Sequence, residues 1–428
     1  MSPSSDIEPV GQLSPQPWME APETQAVLAA LTAGGVAARF IGGCVRDALA
    51  RRPIKDVDIA TPLPPEEVMR RLEEAGIKAI PTGIEHGTVT AVSHGKPYEI
   101  TTLRRDRACD GRHAEVEFTD DWFEDAARRD LSINAMSATP DGAVYDYFNG
   151  IDHLARGLIR FIGIPKRRLE EDYLRILRYF RFLAHYGRGG ANKEALAAIR
   201  VAAPQVETLS RERIREEILR ILEADGAAEV LLLMHSVRVL DFALPEATEF
   251  GALRVLIWLE TRAIRLEGIE PNTLRRLSCL LPNGEAAHCV AERLKLSNAQ
   301  RDHLLAIAAV PQPPDPSLGD GELRHLLYEL GPDLYRDCAL ITWARKKSCS
   351  EHGSSTETEA WISLLERPNR WSPPDFPLTG ADVLGLGVPE GPEVGRLLDT
   401  LRTSWVSEDF RPERPDLLAR LEAHVREG

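Results

Sequence analysis

The spacing of apolar residues changes near residue 160, and that change limits what the chain can fold into. Before it, strand-like and helix-like runs alternate. VAARFI (36–41) reads as a strand stopped at Gly42-Gly43, followed by a short helix and a strand at Val57–Ala60. PEEVMRRLEEAG (65–76) reads as a capped amphipathic helix; TVTAVS, His94-Gly95-Lys96 and PYEITTL read as a β-hairpin. The mixed pattern ends in a turn at TPDGAVYDYFNG. After it, Leu169, Tyr173, Ile176, Leu177, Phe180 and Ala184 form one helical stripe, and helical spacings run on to about 345. KKSCSEHGSSTETE reads as a loop or linker before a last helix-rich piece. Strands gathered at one end and helices over the rest predict an α+β fold, a small head with a mixed sheet followed by an all-α remainder. No repeat of solenoid period is present.

With 428 residues, 43% of them hydrophobic, the chain is long enough for two to four domains. Its longest apolar runs, such as VLLLM at 230–234, are far too short to span a bilayer. The start, MSPSSDIEPVGQLSPQP, has neither the basic opening nor the apolar core of a targeting peptide, and its composition predicts disorder over residues 1–21. Six cysteines without C-x-x-C spacing predict reduced, structural thiols in a cytoplasmic protein. A net charge of −14 argues against nucleic acid as a partner, but the average conceals a local reversal. From Ala155 to Arg220 fifteen Lys and Arg face eight Asp and Glu, a surplus of about +7 that is nearly all arginine. Arginine suits phosphate forks and base edges, so this segment is either a nucleic-acid footprint or a solvated helix face with ordinary salt bridges.

One short span concentrates the chemistry. In IGGCVRDALARRPIKDVDIAT (41–61), Asp56 and Asp58 lie two apart in a predicted strand, so both carboxylates face one side. Two hard oxygen donors aimed at one point suit Mg²⁺, and a third carboxylate would allow a second ion, as in in-line phosphoryl transfer. Gly42 and Gly43, ending a strand and opening a helix, let backbone N–H groups approach phosphate, with Arg46 placed to pair with its oxygens.

This span resembles the first motif of the bacterial-type (class II) tRNA CCA-adding nucleotidyltransferases of the polymerase β superfamily. Further stretches follow in the family's order. DAARRDLSINAMS (125–137) is similar to the second motif, VYDYFNGIDHLARGLIRFIG (144–163) to the third, LEEDYLRILRYFRFLAHYG (169–187) to the fourth and SRERIREEILRIL (210–222) to the fifth. FPLTGADVLGLGVPEGPEVGRLLDTL resembles the family's tail. The second motif carries Leu131-Ser132 where Phe-Thr is usual, and the first carries Ala48-Leu49-Ala50 for Leu-Leu-Gly; neither change touches a charged position.

The resemblance implies template-independent addition of CCA to the tRNA 3′ end from CTP and ATP, with Mg²⁺ held by Asp56 and Asp58. It implies that Gly43 and Arg46 meet the nucleotide's phosphates, with Gly42 supporting the turn. Arg129 would contact the nucleotide, Asp130 and Asn134 the ribose region, and Asp172, Arg175, Arg178 and Arg181 the nucleobase and triphosphate pocket. It divides the chain into a polymerase-β-like catalytic head (22–159), a neck with the base-selecting helix (160–225), a body (226–345) and a tRNA-binding tail (346–428). Body and tail would hold the tRNA's stacked arm by shape and phosphate contact. No protein partner is implied.

Asp172 and Arg175, i and i+3 on a predicted helix, would share one face. Cytosine and adenine each present an amino donor beside a ring-nitrogen acceptor, so an aspartate can accept from the first while an arginine donates to the second. Uracil and guanine offer the reverse at those places, and the unpaired groups discriminate against them. Glu99, alternating with Tyr98 and Ile100, is open between a third metal ligand, a base for the RNA 3′-hydroxyl and a sheet-edge glutamate facing water. The polar span Arg104–Phe118 resembles the family's flexible loop and a lever for the C-to-A switch, with Arg112 and His113 near phosphate. Ser210, Arg213 and Glu217 read as a capped helix start that braces the pocket, His86 as structural, and Trp258, Trp343, Trp361, Trp371 and Trp405 as core or packing residues rather than base-stacking platforms. No histidine is followed by Asp, so no HD phosphohydrolase dyad is present. A poly(A), A-only or CC-only enzyme of the same superfamily, or a non-catalytic RNA binder, stays open at this level.

Overall fold

Side chains alternate across a strand, and in TVTAVS the alternation buries Val89, Ala91 and Ser93 and leaves their neighbours half-buried. In the computed structural model this run is one of ten strands. They are β1 (Gly11–Gln12), β2 (Arg39–Ile41), β3 (Asp58–Thr61), β4 (Lys78–Gly83), β5 (Thr88–Ser93), β6 (Lys96–Thr102), β7 (Arg104–Cys109), β8 (Ala114–Phe118), β9 (Ser137–Ala138) and β10 (Ala143–Tyr145). Residues 8–109, 114–350 and 354–427 are described, in two compact units that divide between Pro245 and Glu246.

In the first unit eight strands form a mixed sheet in the order β1-β10-β9-β2-β3-β6-β5-β4. Its parallel pair, β3 with β6, sets Asp58 opposite Glu99. Strands β7 and β8 form a separate antiparallel hairpin from the predicted flexible stretch; Arg112 and His113 lie outside the described residues. Six helices accompany the strands: α1 (Pro17–Glu20), α2 (Pro22–Thr32), α3 (Gly43–Leu49), α4 (Pro65–Glu74), α5 (Trp122–Ala127) and α6 (Gly150–Arg156). Helix α4 opens with Pro65 and carries Glu66 and Glu67 in its first turn, where the helix dipole favours them. Val68 and Leu72 of α4 and Val27, Leu28 and Leu31 of α2 share one core with Phe40, Ile59, Val89 and Ile100 of the sheet. Each such side chain contributes about 1.5–3 kcal/mol on burial.

The disorder predicted for residues 1–21 does not hold over 8–21; residues 1–7 lie outside the described part. Strand β1 pairs with β10, Leu13 and Met19 are buried, and Trp18 meets Phe40 edge-on at 4.7 Å. Sparse apolar residues anchor this polar segment, and its prolines start α1 and α2 instead of breaking them. Strand β10 likewise forms inside the stretch read as a turn.

The rest of the unit is helical: α7 (Pro165–Glu171), α8 (Leu174–Tyr186), α9 (Lys193–Ala202), α10 (Arg211–Leu222), α11 (Ala227–Ser236) and α12 (Leu240–Ala243). Helix α10, capped by Ser210, packs along α8. Helix α11 also packs on α8, so the neck-to-body boundary read at 225 falls inside this unit.

The second unit contains α13 (Phe250–Trp258), α14 (Thr273–Leu280), α15 (Gly284–Arg293), α16 (Asn298–Ala309), α17 (Asp320–Cys349), α18 (Ser355–Arg370), α19 (Gly380–Gly385), α20 (Pro392–Ser407) and α21 (Arg414–Glu427). Helix α17 runs through Lys346–Cys349, so the predicted linker shortens to the residues after Cys349. Trp343 and Trp361 stack at 5.6 Å in one core and Trp405 lies buried in another, while Trp371 packs at an edge. Trp258 departs from the core reading: it is 43% exposed on the last turn of α13, with the Lys347 ammonium 5.7 Å from its ring. Among the described residues no helix is long and apolar enough to cross a membrane.

Candidate active site

The turn from β2 into α3 needs its first glycine. Gly42 sits at φ 65°, which L side chains rarely adopt, and a Cβ there would lie 3.3 Å from Nη1 of Arg129 and 4.0 Å from Oδ2 of Asp58. The backbone thereby passes close to both charged groups, and α3 starts at Gly43 with Arg46 on the cleft side.

Arg46 begins a continuous chain of hydrogen bonds. It donates to both carboxylate oxygens of Asp47, at 3.0 and 2.9 Å, and to Oδ1 of Asn134 at 2.7 Å. Nδ2 of Asn134 donates to Asp130 at 3.2 Å, and Nε of Arg178 donates to the other Asp130 oxygen at 2.6 Å. Burial pushes the Asp130 carboxyl up, but the charge of Arg178 and the hydrogen bonds it accepts outweigh that and hold it below its ordinary range. The same pairing overcomes burial and raises the Arg178 guanidinium. The chain therefore joins the first motif, the second motif and α8 in one continuous network. Arg129 is fixed separately by buried Asp125, at 3.1 Å, which also holds Arg128.

Asp58 carries the opposite strain. Burial, then the neighbouring Glu99 and Asp56 carboxylates, push its carboxyl up to about 6, against the pull of Arg129 and Arg46. Strand β3 starts only at Asp58, so Asp56 precedes it and strand alternation does not place the pair; both nevertheless line one lobe of the cleft. Among the described residues no three His, Cys, Asp or Glu side chains form a ready-made metal cage. The site fits Mg²⁺ all the same, since that ion is commonly held by one or two carboxylates with substrate phosphates and water completing its shell.

At the other end, the structure corrects the helical pairing expected of Asp172 and Arg175. The chain is extended at Asp172 (φ −158°, ψ 111°), which separates α7 from α8. The reason is local capping: Oδ1 of Asp172 accepts from the Leu174 N–H at 3.0 Å, a bond that competes with helix continuation. Its Oδ2 accepts from Arg213 at 2.8 Å, and Arg175 is held by Glu171 and by the carbonyl of Arg168 at 3.0 Å. Asp172 and Arg175 still line one cleft with Asp58. Arg181 is buried against Glu217 at 3.0 Å; desolvation lowers the guanidinium to about 10 and raises the carboxyl.

This cleft, of ≈ 660 Å³, is lined by nine arginines (46, 104, 128, 129, 175, 178, 181, 213 and 220) and three aspartates (58, 130 and 172). That surplus suits a polyanion as large as a nucleoside triphosphate. Glu99 is exposed and lies within electrostatic reach of Asp58. Sequence reasoning missed Asp125, Arg128, Arg104 and Arg220. The Asp125 brace had a legible signal, three and four residues before Arg128 and Arg129 on one helical turn; Arg104 and Arg220 were covered only by the polar span 104–118 and by the arginine-rich segment ending at 220, neither singled out.

A family model described as "Poly A polymerase head domain" matches residues 38–160, and one described as "Probable RNA and SrmB- binding site of polymerase A" matches 192–250. The chain is 35% identical to the mouse (Mus musculus) "CCA tRNA nucleotidyltransferase 1, mitochondrial", over 89% of this chain and 85% of that protein. It is 36% identical to the zebrafish (Danio rerio) protein of the same name, over 90% and 86%. Its fold is similar to that of the Bacillus stearothermophilus CCA-adding enzyme in complex with CTP. The TM-score is 0.74 and the identity 28%, covering 95% of this chain and 97% of that one.

Proposed function

The chain belongs to the CCA tRNA nucleotidyltransferase family of the polymerase β superfamily and is a nucleotidyltransferase; from that premise we propose that it adds C, C and A to the 3′ end of tRNA, taking CTP and ATP and using no nucleic-acid template. One observation carries the reading: a single arginine-lined cleft contains the strained Asp58 carboxylate and, at its far end, Asp172 and Arg175.

Asp56 and Asp58 would hold Mg²⁺, which when bound supplies charge neutralisation at the phosphates and lowers the pKa of the attacking hydroxyl. The RNA 3′-oxygen forms a bond to the α-phosphorus. The bond from that phosphorus to the bridging oxygen breaks, and its electron pair leaves with pyrophosphate. Glu99, exposed beside Asp58, takes the hydroxyl proton. Gly43 and Arg46 seat the phosphates, while Arg178, Asp130 and Asn134 position the ribose. Asp172 accepts from the amino group shared by cytosine and adenine, and Arg175 donates to the adjacent ring nitrogen. Arg213, donating to Oδ2 of Asp172 at 2.8 Å, fixes the orientation of that side chain. The helical second unit would hold the tRNA, and buried free Cys44, Cys279 and Cys338 suit the reducing cytoplasm.

The test is incubation of the protein with tRNA ending before CCA, with CTP and ATP separately and together. The expected products are two C with CTP alone and CCA with both. Long runs of A from ATP alone would replace this reading with a poly(A) polymerase.

A further inference from the structure

The groups along α8 run in the order of the parts of a nucleotide. Asp172 and Arg175 stand at its start, Arg178 on Asp130 one turn on, and Arg181 and Phe182 beside Arg46 after that. At 1.5 Å per residue this 13-residue helix is about 20 Å long, and its last turn reaches past the phosphates. There the cleft opens into a second lobe of ≈ 530 Å³, sharing Gly43, Arg46, Asp58, Arg181, Phe182 and Arg220 with the first and lined further by Arg52, Lys55, Tyr186 and Glu223.

The charges in this lobe are not spent on one another. Asp47 is engaged by Arg46 and by the Tyr186 hydroxyl at 2.5 Å, and Arg181 by Glu217. Arg52 lies 4.2 Å over the Tyr186 ring and donates to the His185 carbonyl, fixed there without a carboxylate partner. Lys55 is exposed and makes no hydrogen bond or ion pair among the described residues. With Asp56 and Asp58 assigned to the metal and Asp47 held by Arg46, Glu223 is the remaining carboxylate of the lobe beside Arg52 and Lys55.

We infer that this lobe, through Arg52 and Lys55, is the seat that receives pyrophosphate once the bond to the α-phosphorus has broken. The inference rests on the nucleotidyl-transfer reading above. The lobe adjoins the phosphates' seat through Gly43 and Arg46, so pyrophosphate expelled by an in-line displacement has a direct path into it. The adjacent cations neutralise the departing anion, and their open position lets it pass to solvent.

The test uses the full chain, Lys55→Gln at an exposed position and Arg52→Gln beside it. Inorganic pyrophosphate is titrated calorimetrically with magnesium present, and product inhibition of CTP incorporation and pyrophosphorolysis of tRNA ending in CCA are measured in parallel. The expected result is a five- to twentyfold weaker Kd and inhibition constant for pyrophosphate and slower pyrophosphorolysis, with the KM for CTP changed less than twofold. Unchanged pyrophosphate affinity in both variants would overturn the inference. So would a KM for CTP that rises in step, because the cations would then belong to the triphosphate's own seat. Calorimetry needs no turnover: weaker pyrophosphate binding in the variants of a chain that never extends tRNA would uphold this seat and sink the CCA reading.

Discussion

Both units draw charged side chains together, and they resolve the resulting electrostatics in opposite ways. In the second unit Glu260, fully buried, accepts from Arg275 and Arg276, each at 2.7 Å, while Arg275 donates to Asp337 at 2.6 Å. His303 closes the group on Asp337 at 2.7 Å. Two carboxylates meet two guanidiniums in an apolar surround, each buried charge with a hydrogen-bonded partner of opposite sign. The cleft of the first unit holds nine arginines against three aspartates and opens to solvent. Its Asp58 stays raised through burial first and then through the charges of Glu99 and Asp56. A closed, matched network holds helices together. An open, mismatched one retains unspent interaction energy for a ligand.

The largest effect tests that contrast at Asp58. Asp58→Asn should lower incorporation of C into tRNA by at least 10³-fold, equivalent to about 4 kcal/mol of transition-state stabilisation. The fold should gain. Because the folded-state pKa is about 6, above the ordinary 3.8, ionised Asp58 destabilises the metal-free fold above pH 6 and not below pH 4. The variant should therefore raise unfolding free energy at pH 7.5 by roughly 1–2 kcal/mol in chelator, an advantage that shrinks towards pH 4. Urea unfolding at both pH values checks it; a destabilised variant would mean that Asp58 is a structural partner.

Glu260→Ala should do the reverse. Removing it strands Arg275 and Arg276 without their shared carboxylate in the core, at a cost of about 3–5 kcal/mol. The unfolding midpoint of the second unit should fall sharply, followed through the buried Trp343–Trp361 pair by fluorescence. A shift under 1 kcal/mol would mean that the network relaxes to admit water.

Asp172→Asn targets the far end of the cleft and should act on choice more than on rate. The amide both donates and accepts, so it can also satisfy the carbonyls of uracil or guanine. Discrimination for CTP over UTP should fall by roughly 10- to 100-fold, about 1–3 kcal/mol. Ratios of kcat/KM for the two nucleotides report it; an unchanged ratio would remove Asp172 from base selection.

How much of this was legible in the sequence differs by region. The glycine turn, Asp58, Arg129 and the Asp130–Asn134 pair lie inside short motifs, and the structure brings them to one cleft as local rules suggest. The break at Asp172 was hidden because the apolar stripe from Leu169 to Ala184 continues in register across it, and periodicity is blind to a side chain that caps the next turn. Residues 8–21 misled through composition: Leu13, Trp18 and Met19 are too few to lift the average, yet each finds a place in the sheet's core. Trp258 misled through residue type, since an aromatic ring at helical spacing says nothing about what faces it. Pairings such as Arg213 with Asp172 and Arg275 with Asp337 join residues 41 and 62 apart, and only the packing of helices creates them.

The smallest effect probes the edge of the closed network. Asp337 hydrogen-bonds His303, and that bond together with the carboxylate's charge raises the imidazolium above its ordinary 6.5 despite partial desolvation. A histidine whose folded pKa is raised contributes its full stabilisation below about pH 6.5, and the contribution is lost as pH climbs through the folded value. With the ring partly open to solvent, roughly 0.5–1 kcal/mol is at stake. His303→Gln, able to keep a neutral hydrogen bond to Asp337, should therefore be less stable than the parent at pH 6 and nearly equal to it at pH 8.5. The difference should shrink at high salt much less than for an exposed pair, because Asp337 is buried. Paired urea titrations at the two pH values measure it. A difference that grows with pH would show that His303 is held neutral, which would make Arg275 the sole counter-charge of Asp337 and leave the network balanced by arginine alone.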